Sequence, residues 1–176
     1  MYKIERKIFM KFLKAFGFVI AADILCLFIG VTLASSSSSF MRLICAVCTV
    51  GILICLLASL AMKTAREDLC QERITGNKTN PVTAVLCGVT ASLPAAVNWM
   101  ILYIAHSSGS FDYYKWHKLL SAYFMPVCNL INDDASTSAL SGSEVMLMLP
   151  LVIIPFLAYT VSYFLAYKGI ISETKE

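Results

Sequence analysis

Charge is scarce in this sequence. Charged residues make up 14% of the chain and apolar residues 59%, where a soluble domain carries about 25% and about 45–50%. One soluble core of this size could not hide so much apolar surface, so the composition excludes an ordinary soluble fold. The net charge of +3 is small, and the charges cluster between apolar runs as in a polytopic membrane protein rather than forming a nucleic-acid surface, so no nucleic-acid partner is expected. Histidine is limited to His106 and His117, neither with companion ligands at metal spacing, so no metal site is expected. No Ser/His/Asp set, zincin motif, phosphate loop or pair of intramembrane carboxylates occurs. Neither catalysis nor a bound cofactor is therefore expected. The seven cysteines fall mostly inside apolar runs, where Cys behaves as a small buried hydrophobe. They do not form the even, loop-borne framework of a secreted disulfide protein.

What the chain does have is long apolar runs. A spanning helix needs about 20 mostly apolar residues, because the hydrocarbon is about 30 Å thick and an α-helix rises 1.5 Å per residue. Ala15–Ala34, Leu43–Met62, Val82–Ala105 and Val145–Tyr167 meet that requirement. Each must be helical, since an unpaired backbone group facing lipid costs several kcal/mol. The expected fold is an all-α membrane protein, a four-transmembrane-helix bundle over residues 15–168 with a basic tail at 1–14 and a short tail at 169–176.

Orientation follows from the basic residues. The first tail carries Lys3, Arg6, Lys7, Lys11 and Lys14, and the second connection, Lys63 to Pro81, carries Lys63, Arg66, Arg73 and Lys78. The final tail adds Lys168 and Lys175, while the first connection holds only Arg42 and the third only Lys115 and Lys118. The positive-inside rule then places both ends in the cytoplasm. Thr32-Leu33-Ala34 before the serine run resembles a signal-peptide cleavage site. The preceding run is longer than the 7–15 residues of a signal core and carries Asp23, which favours a retained helix. The compact chain without a trafficking signal points to a bacterial cytoplasmic membrane.

The connections differ in character. Ser35–Ser39 makes a short polar turn, so the first two helices should be antiparallel neighbours. The halves of the chain do not match, so the inverted repeat of many transporters is missing. In the outer loop 106–144, Trp116, Leu119, Leu120, Tyr123, Phe124 and Val127 recur near helical spacing, with Asp112, Lys115 and Lys118 on another face. This pattern predicts an amphipathic helix at the membrane interface, limited by Pro126; a shallow re-entrant piece is the competing reading. Asn132 to Ser143 is rich in Asp, Ser and Gly and reads as a flexible linker.

A few polar residues stand out inside the runs. Asp23 lies near the middle of the first helix, where a charge costs about 2.5–3.5 kcal/mol on the lenient insertion scale. It fits a hydrogen bond within the bundle, a contact to a partner's helix, or a proton or cation site. Ala84, Gly88, Ala91, Ala95 and Asn98 form one stripe of small residues on the third helix, the surface that permits close helix contact in lipid. Asn98 and Asp23 differ in depth by about one turn, which allows a direct or water-bridged bond. Pro150 and Pro155 predict a kink in the fourth helix. Beyond them, Tyr159, Tyr163 and Tyr167 follow at four-residue steps, and Tyr159, the deepest, needs a partner in the bundle.

Cys45-Ala46-Val47-Cys48 begins just inside the outer end of the second helix. In a four-helix layout with cytoplasmic ends, this CxxC resembles the DsbB family of membrane disulfide-generating enzymes. The resemblance implies a redox role for Cys45 and Cys48, with electrons passed to a bound quinone. It covers the topology and this tetrapeptide. The family's second cysteine pair in the large outer loop is reduced here to Cys128, and Thr49–Leu60 lacks the family's arginine. Tetraspanins and claudins share the four-span layout, but their outer loops carry paired cysteines that this chain lacks.

Together these features predict a non-enzymatic subunit, accessory or scaffold, held in the lipid bilayer with a membrane-protein partner or as a homo-oligomer. The alternatives are a small ion-coupled transporter built on Asp23, Asn98 and Tyr159, and the thiol oxidoreductase.

Overall fold

The computed structural model describes residues 2–33, 39–76 and 79–169. Most of the serine run, Asn77 and Lys78 of the second connection, and most of the final tail lie outside the described residues. Within them the chain is helical: α1 (Tyr2–Leu33), α2 (Ser39–Thr75), α3 (Val82–Ser108), α4 (Tyr114–Leu120), α5 (Met125–Ile131), α6 (Gly142–Leu147) and α7 (Ile153–Tyr167). Four segments have spanning length and hydropathy, namely Phe9–Gly30, Phe40–Thr75, Val82–Ser108 and the α6–α7 segment Gly142–Tyr167. They indicate an integral membrane protein.

Two of these helices run well past their apolar cores. Helix α1 has 32 residues and includes the basic segment before Ala15. Helix α2 has 37 residues, about 55 Å at 1.5 Å per residue. It continues unbroken from Met62 through Lys63 to Thr75, so most of the expected second connection is helix. Charge ends a hydropathy window, but Lys, Arg, Glu and Gln are good helix formers. The buried face also persists, through Leu57, Ala61, Ala65 and Asp68. Helix α2 stops where Gly76 takes φ 69° and returns its N–H to the Glu72 carbonyl at 2.8 Å, an αL cap.

The fourth span is interrupted. Its first part, α6, is fixed by a capping box in which Ser141 and Glu144 satisfy each other's backbone N–H. Leu149–Val152 is then 3₁₀ before α7 begins. Pro150 and Pro155 account for the break, because each lacks the N–H that an α-helix would return to the preceding turn.

In cross-section the spans form a ring in which α1 and α7 each pack between α2 and α3, so α1 and α7 are diagonal. Specific contacts fix the directions. Lys11 meets Asp68, and Cys26 meets Thr49, so α1 and α2 are antiparallel. Gly88 lies against Phe156 and Thr160, and Trp99 donates to the Val145 carbonyl at 3.0 Å, so α3 and the fourth span are antiparallel. The core mixes small residues, among them Ala15, Ala22, Cys26, Ala61, Ala91 and Ala95, with larger ones such as Leu53, Leu57, Leu102 and Tyr159. Large apolar side chains are exposed along the spans, among them Phe28 at 69% and Leu25 at 47%. Small residues at helix contacts with apolar side chains outside suit helices packing in lipid.

In the third connection, helices α4 and α5 form a hairpin whose turn, Ser121–Phe124, is buried against the spans; Ala122 and Tyr123 are inaccessible. On α4 the apolar Trp116, Leu119 and Leu120 are exposed, and Lys118, expected on the polar face with Lys115, is 8% exposed. The Lys118 ammonium donates to the Asn132 and Asp134 carbonyls at 3.0 and 2.7 Å and sits over the Tyr114 ring at 4.2 Å. Both carbonyls lie just past the last residue of α5. Asn132 to Ser143 is not loose either. Asp112 accepts from the Thr137 N–H and hydroxyl at 2.7 and 2.8 Å, and Thr137 in turn accepts from the Tyr113 and Tyr114 amides. Arg42 on α2 pairs with Asp133 at 2.8 Å.

Candidate functional site

The expected site residues separate into two clusters at opposite ends of the bundle. The first surrounds the hairpin tip. Asp23 lies about 15 Å from the Leu33 end of α1 at 1.5 Å per residue. Its carboxylate accepts the Ala122 N–H at 2.6 Å. That amide belongs to the turn between two short helices, where the regular ladder supplies no acceptor. On the other side of the tip, Asn98 of α3 donates to the His117 carbonyl at 3.0 Å and to the Ser121 hydroxyl at 2.7 Å. Its side-chain oxygen accepts from the Tyr113 hydroxyl at 2.8 Å. Asp23 and Asn98 therefore converge, as their depths suggested, but on consecutive residues of the hairpin. No Asp23–Asn98 hydrogen bond is seen.

His117 is buried in this clasp, its ring Nδ1 3.4 Å from the Asn98 carbonyl. Burial lowers its pKa to about 4, so the imidazole is neutral at physiological pH. Burial likewise pushes the Lys118 ammonium below its usual value. Outside the clasp, the Thr137 N–H and hydroxyl hold the Asp112 carboxyl below the usual carboxylate range.

The second cluster lies at the basic end, and only its tyrosines were anticipated. The Tyr163 hydroxyl donates to Asp68 Oδ2 at 2.9 Å, and the Tyr167 hydroxyl donates to Glu72 Oε1 at 2.7 Å. Tyr159 reaches the Thr64 and Cys87 side chains. Each rung joins residues of α2 and α7 that are 95 apart, and successive rungs are four residues apart. Such a constant offset means that the two helices run parallel in fixed register. Tyr163 and Tyr167 stack with centroids 5.9 Å apart. From α1, the Lys11 ammonium joins Asp68 Oδ1 at 2.5 Å, with side-chain exposures of 14% and 4%. This cluster ties three helices together. The signal for it was the helical repeat Thr64, Asp68, Glu72, which matches the tyrosine repeat step for step.

The small-residue stripe faces inward: Ala84, Gly88, Ala91, Ala95 and Asn98 are all buried. At Gly88 an added Cβ would lie 2.3 Å from the Thr160 hydroxyl and 3.2 Å from the Phe156 carbonyl, so the approach of α3 to α7 depends on glycine there. The CxxC residues diverge, Cys45 buried and Cys48 exposed, and each of the seven cysteines is a free thiol. Cys128 is fully buried, and burial pushes its pKa up to about 12. It is therefore held as the thiol, whereas disulfide exchange requires the thiolate.

Among the described residues, clefts lie at the hairpin end of the bundle. One of about 430 Å³ is lined by residues including His106, Phe111, Asp112 and Ser138, and one of about 70 Å³ by residues including Arg42, Cys45 and Asp133. No family model, curated protein or solved structure matches this chain.

Proposed function

We propose that this chain is a non-enzymatic accessory or scaffold subunit of a membrane complex, with both ends on the cytoplasmic side of a bacterial cytoplasmic membrane. The observation that carries this reading is the engagement of Asp23, Asn98 and Tyr159 from within the chain; of the other buried side chains among the described residues, the Tyr123 and Thr160 hydroxyls have no partner. Asp23 is engaged by Ala122, Asn98 by His117, Ser121 and Tyr113, and Tyr159 by Thr64 and Cys87. These groups act on the chain's own architecture, which leaves its outer faces to meet a membrane-protein partner or a second copy. In this orientation the α4–α5 hairpin re-enters the membrane from the outer side, since its tip meets Asp23 inside a spanning helix.

Reciprocal co-purification in mild detergent, with cross-linking in intact membranes, tests the reading. A defined complex or homo-oligomer that survives Asp23→Asn is expected. A strictly monomeric protein without a partner overturns it. The rival carrier reading is built on Asp23, Asn98 and Tyr159. It requires liposome flux that Asp23→Asn changes.

A further inference from the structure

The α1–α2 seam has two flanks. One faces the core; the other is open and combines charge with apolar surface. Lys14 and Lys63 lie on the open flank, both exposed. Lys14 immediately precedes the apolar run of α1, and Lys63 immediately follows that of α2. Each is therefore the first cation beyond the hydrocarbon on its own helix. The register set by Lys11–Asp68 and Cys26–Thr49 brings them to the same depth, within about 3 Å at 1.5 Å per residue.

Around the helices, Lys14 lies opposite Asp23 on α1 and Lys63 opposite Glu72 on α2, given 3.6 residues per turn. Both therefore point away from the polar clusters of the core. Neighbouring charges leave the pair positive. Lys11 is consumed by Asp68. Glu67 is exposed one turn further toward the basic end. Above the lysines, the same flank continues through Phe18 and Leu25 of α1 and Ile52 and Leu56 of α2. Leu25 is 47% exposed, and the other three are only partly buried.

We infer that this seam is a binding site for one anionic phospholipid. Lys14 and Lys63 together hold the headgroup phosphate, and an acyl chain lies along Phe18, Leu25, Ile52 and Leu56. Two ammonium groups at headgroup depth attract anionic lipid, and long lysine stems reach that depth while their heads stay in the polar layer. The apolar continuation selects a lipid phosphate over a free one.

The test uses the full chain in nanodiscs, either all phosphatidylcholine or with a minor fraction of phosphatidylglycerol, and native mass spectrometry to count retained phosphatidylglycerol. One tightly retained molecule is expected. The double variant Lys14→Gln/Lys63→Gln should lower its retention about tenfold, while Arg73→Gln/Lys168→Gln, an equal charge loss at the same end, should leave it nearly unchanged. Equal losses in both variants would reduce the effect to general surface charge and overturn the site. So would protection by inorganic phosphate equal to that by the lipid. Melting of both variants in phosphatidylcholine alone checks folding. A selective loss of stability there for Lys14→Gln/Lys63→Gln would assign the lysines to the fold and overturn the lipid role.

Discussion

The two polar clusters solve different problems. At the hairpin end, Asp23 and Asn98 bind backbone and hydroxyls of the α4–α5 hairpin. At the basic end, Lys11, Asp68, Glu72 and the tyrosines bind side chain to side chain between helices. The first arrangement holds a loop in place, and the second holds helices in register. Position explains the choice. Deep in the bundle, neutral donors satisfy one carboxylate at low desolvation cost, whereas full ion pairs are tolerated where the bundle approaches the headgroups.

Substitutions can break or sharpen this contrast. The largest effect is expected from Asp68→Ala, which strands the Lys11 ammonium and the Tyr163 hydroxyl. Loss of one partner of a buried pair costs about 3–5 kcal/mol, readable by steric-trapping unfolding in bicelles. Lys11→Leu/Asp68→Leu should recover much of that loss; a double variant as unstable as the single would refute the ion-pair account. Gly88→Ala comes next, at about 1–3 kcal/mol, because the Thr160 hydroxyl and the Phe156 backbone must move. Gly30→Ala should cost less, since its added Cβ meets only the flexible end of Met125.

Asp23→Leu should cost about 1–3 kcal/mol by leaving the Ala122 amide unsatisfied. Its signature is faster hydrogen exchange at the hairpin tip, with disulfide cross-links engineered between α2 and α7 unaffected. Uniform loosening of both ends would erase the distinction between the clusters. The smallest effect is that of pH. His117 has its pKa lowered from 6.5 to about 4, so the folded state resists protonation. Its stability contribution is complete above pH 6.5 and declines as pH falls toward 4. By about pH 5.5 the loss should be of the order of 1 kcal/mol, and His117→Gln should flatten that part of the profile.

Much of the frame was legible because lipid imposes a simple rule on sequence. Runs of apolar residues gave the spans, and Pro150 and Pro155 marked the break in the fourth. The basic-end cluster was half visible. The Tyr159, Tyr163 and Tyr167 repeat stood out against an apolar background, while Thr64, Asp68 and Glu72 were hidden among other polar residues. The hairpin was harder to read because Ser121-Ala122-Tyr123-Phe124 contains neither Gly nor Pro to announce a turn. Its geometry is imposed by tertiary bonds to Asp23 and Asn98, whose neighbours in sequence carry no record of that contact. Lys118 misled for a similar reason: its burial depends on the Asn132 and Asp134 carbonyls, just past the end of α5.

The shared offset of the α2–α7 rungs has a mechanical consequence. A slide of α7 along α2 by less than one step separates all three rungs together. A slide of one step, about 6 Å for four residues, would set tyrosines opposite two members of the Thr64, Asp68 and Glu72 series again. The pair therefore has indexed resting positions, like teeth on a rack, and resists small axial strain more than a purely apolar seam would.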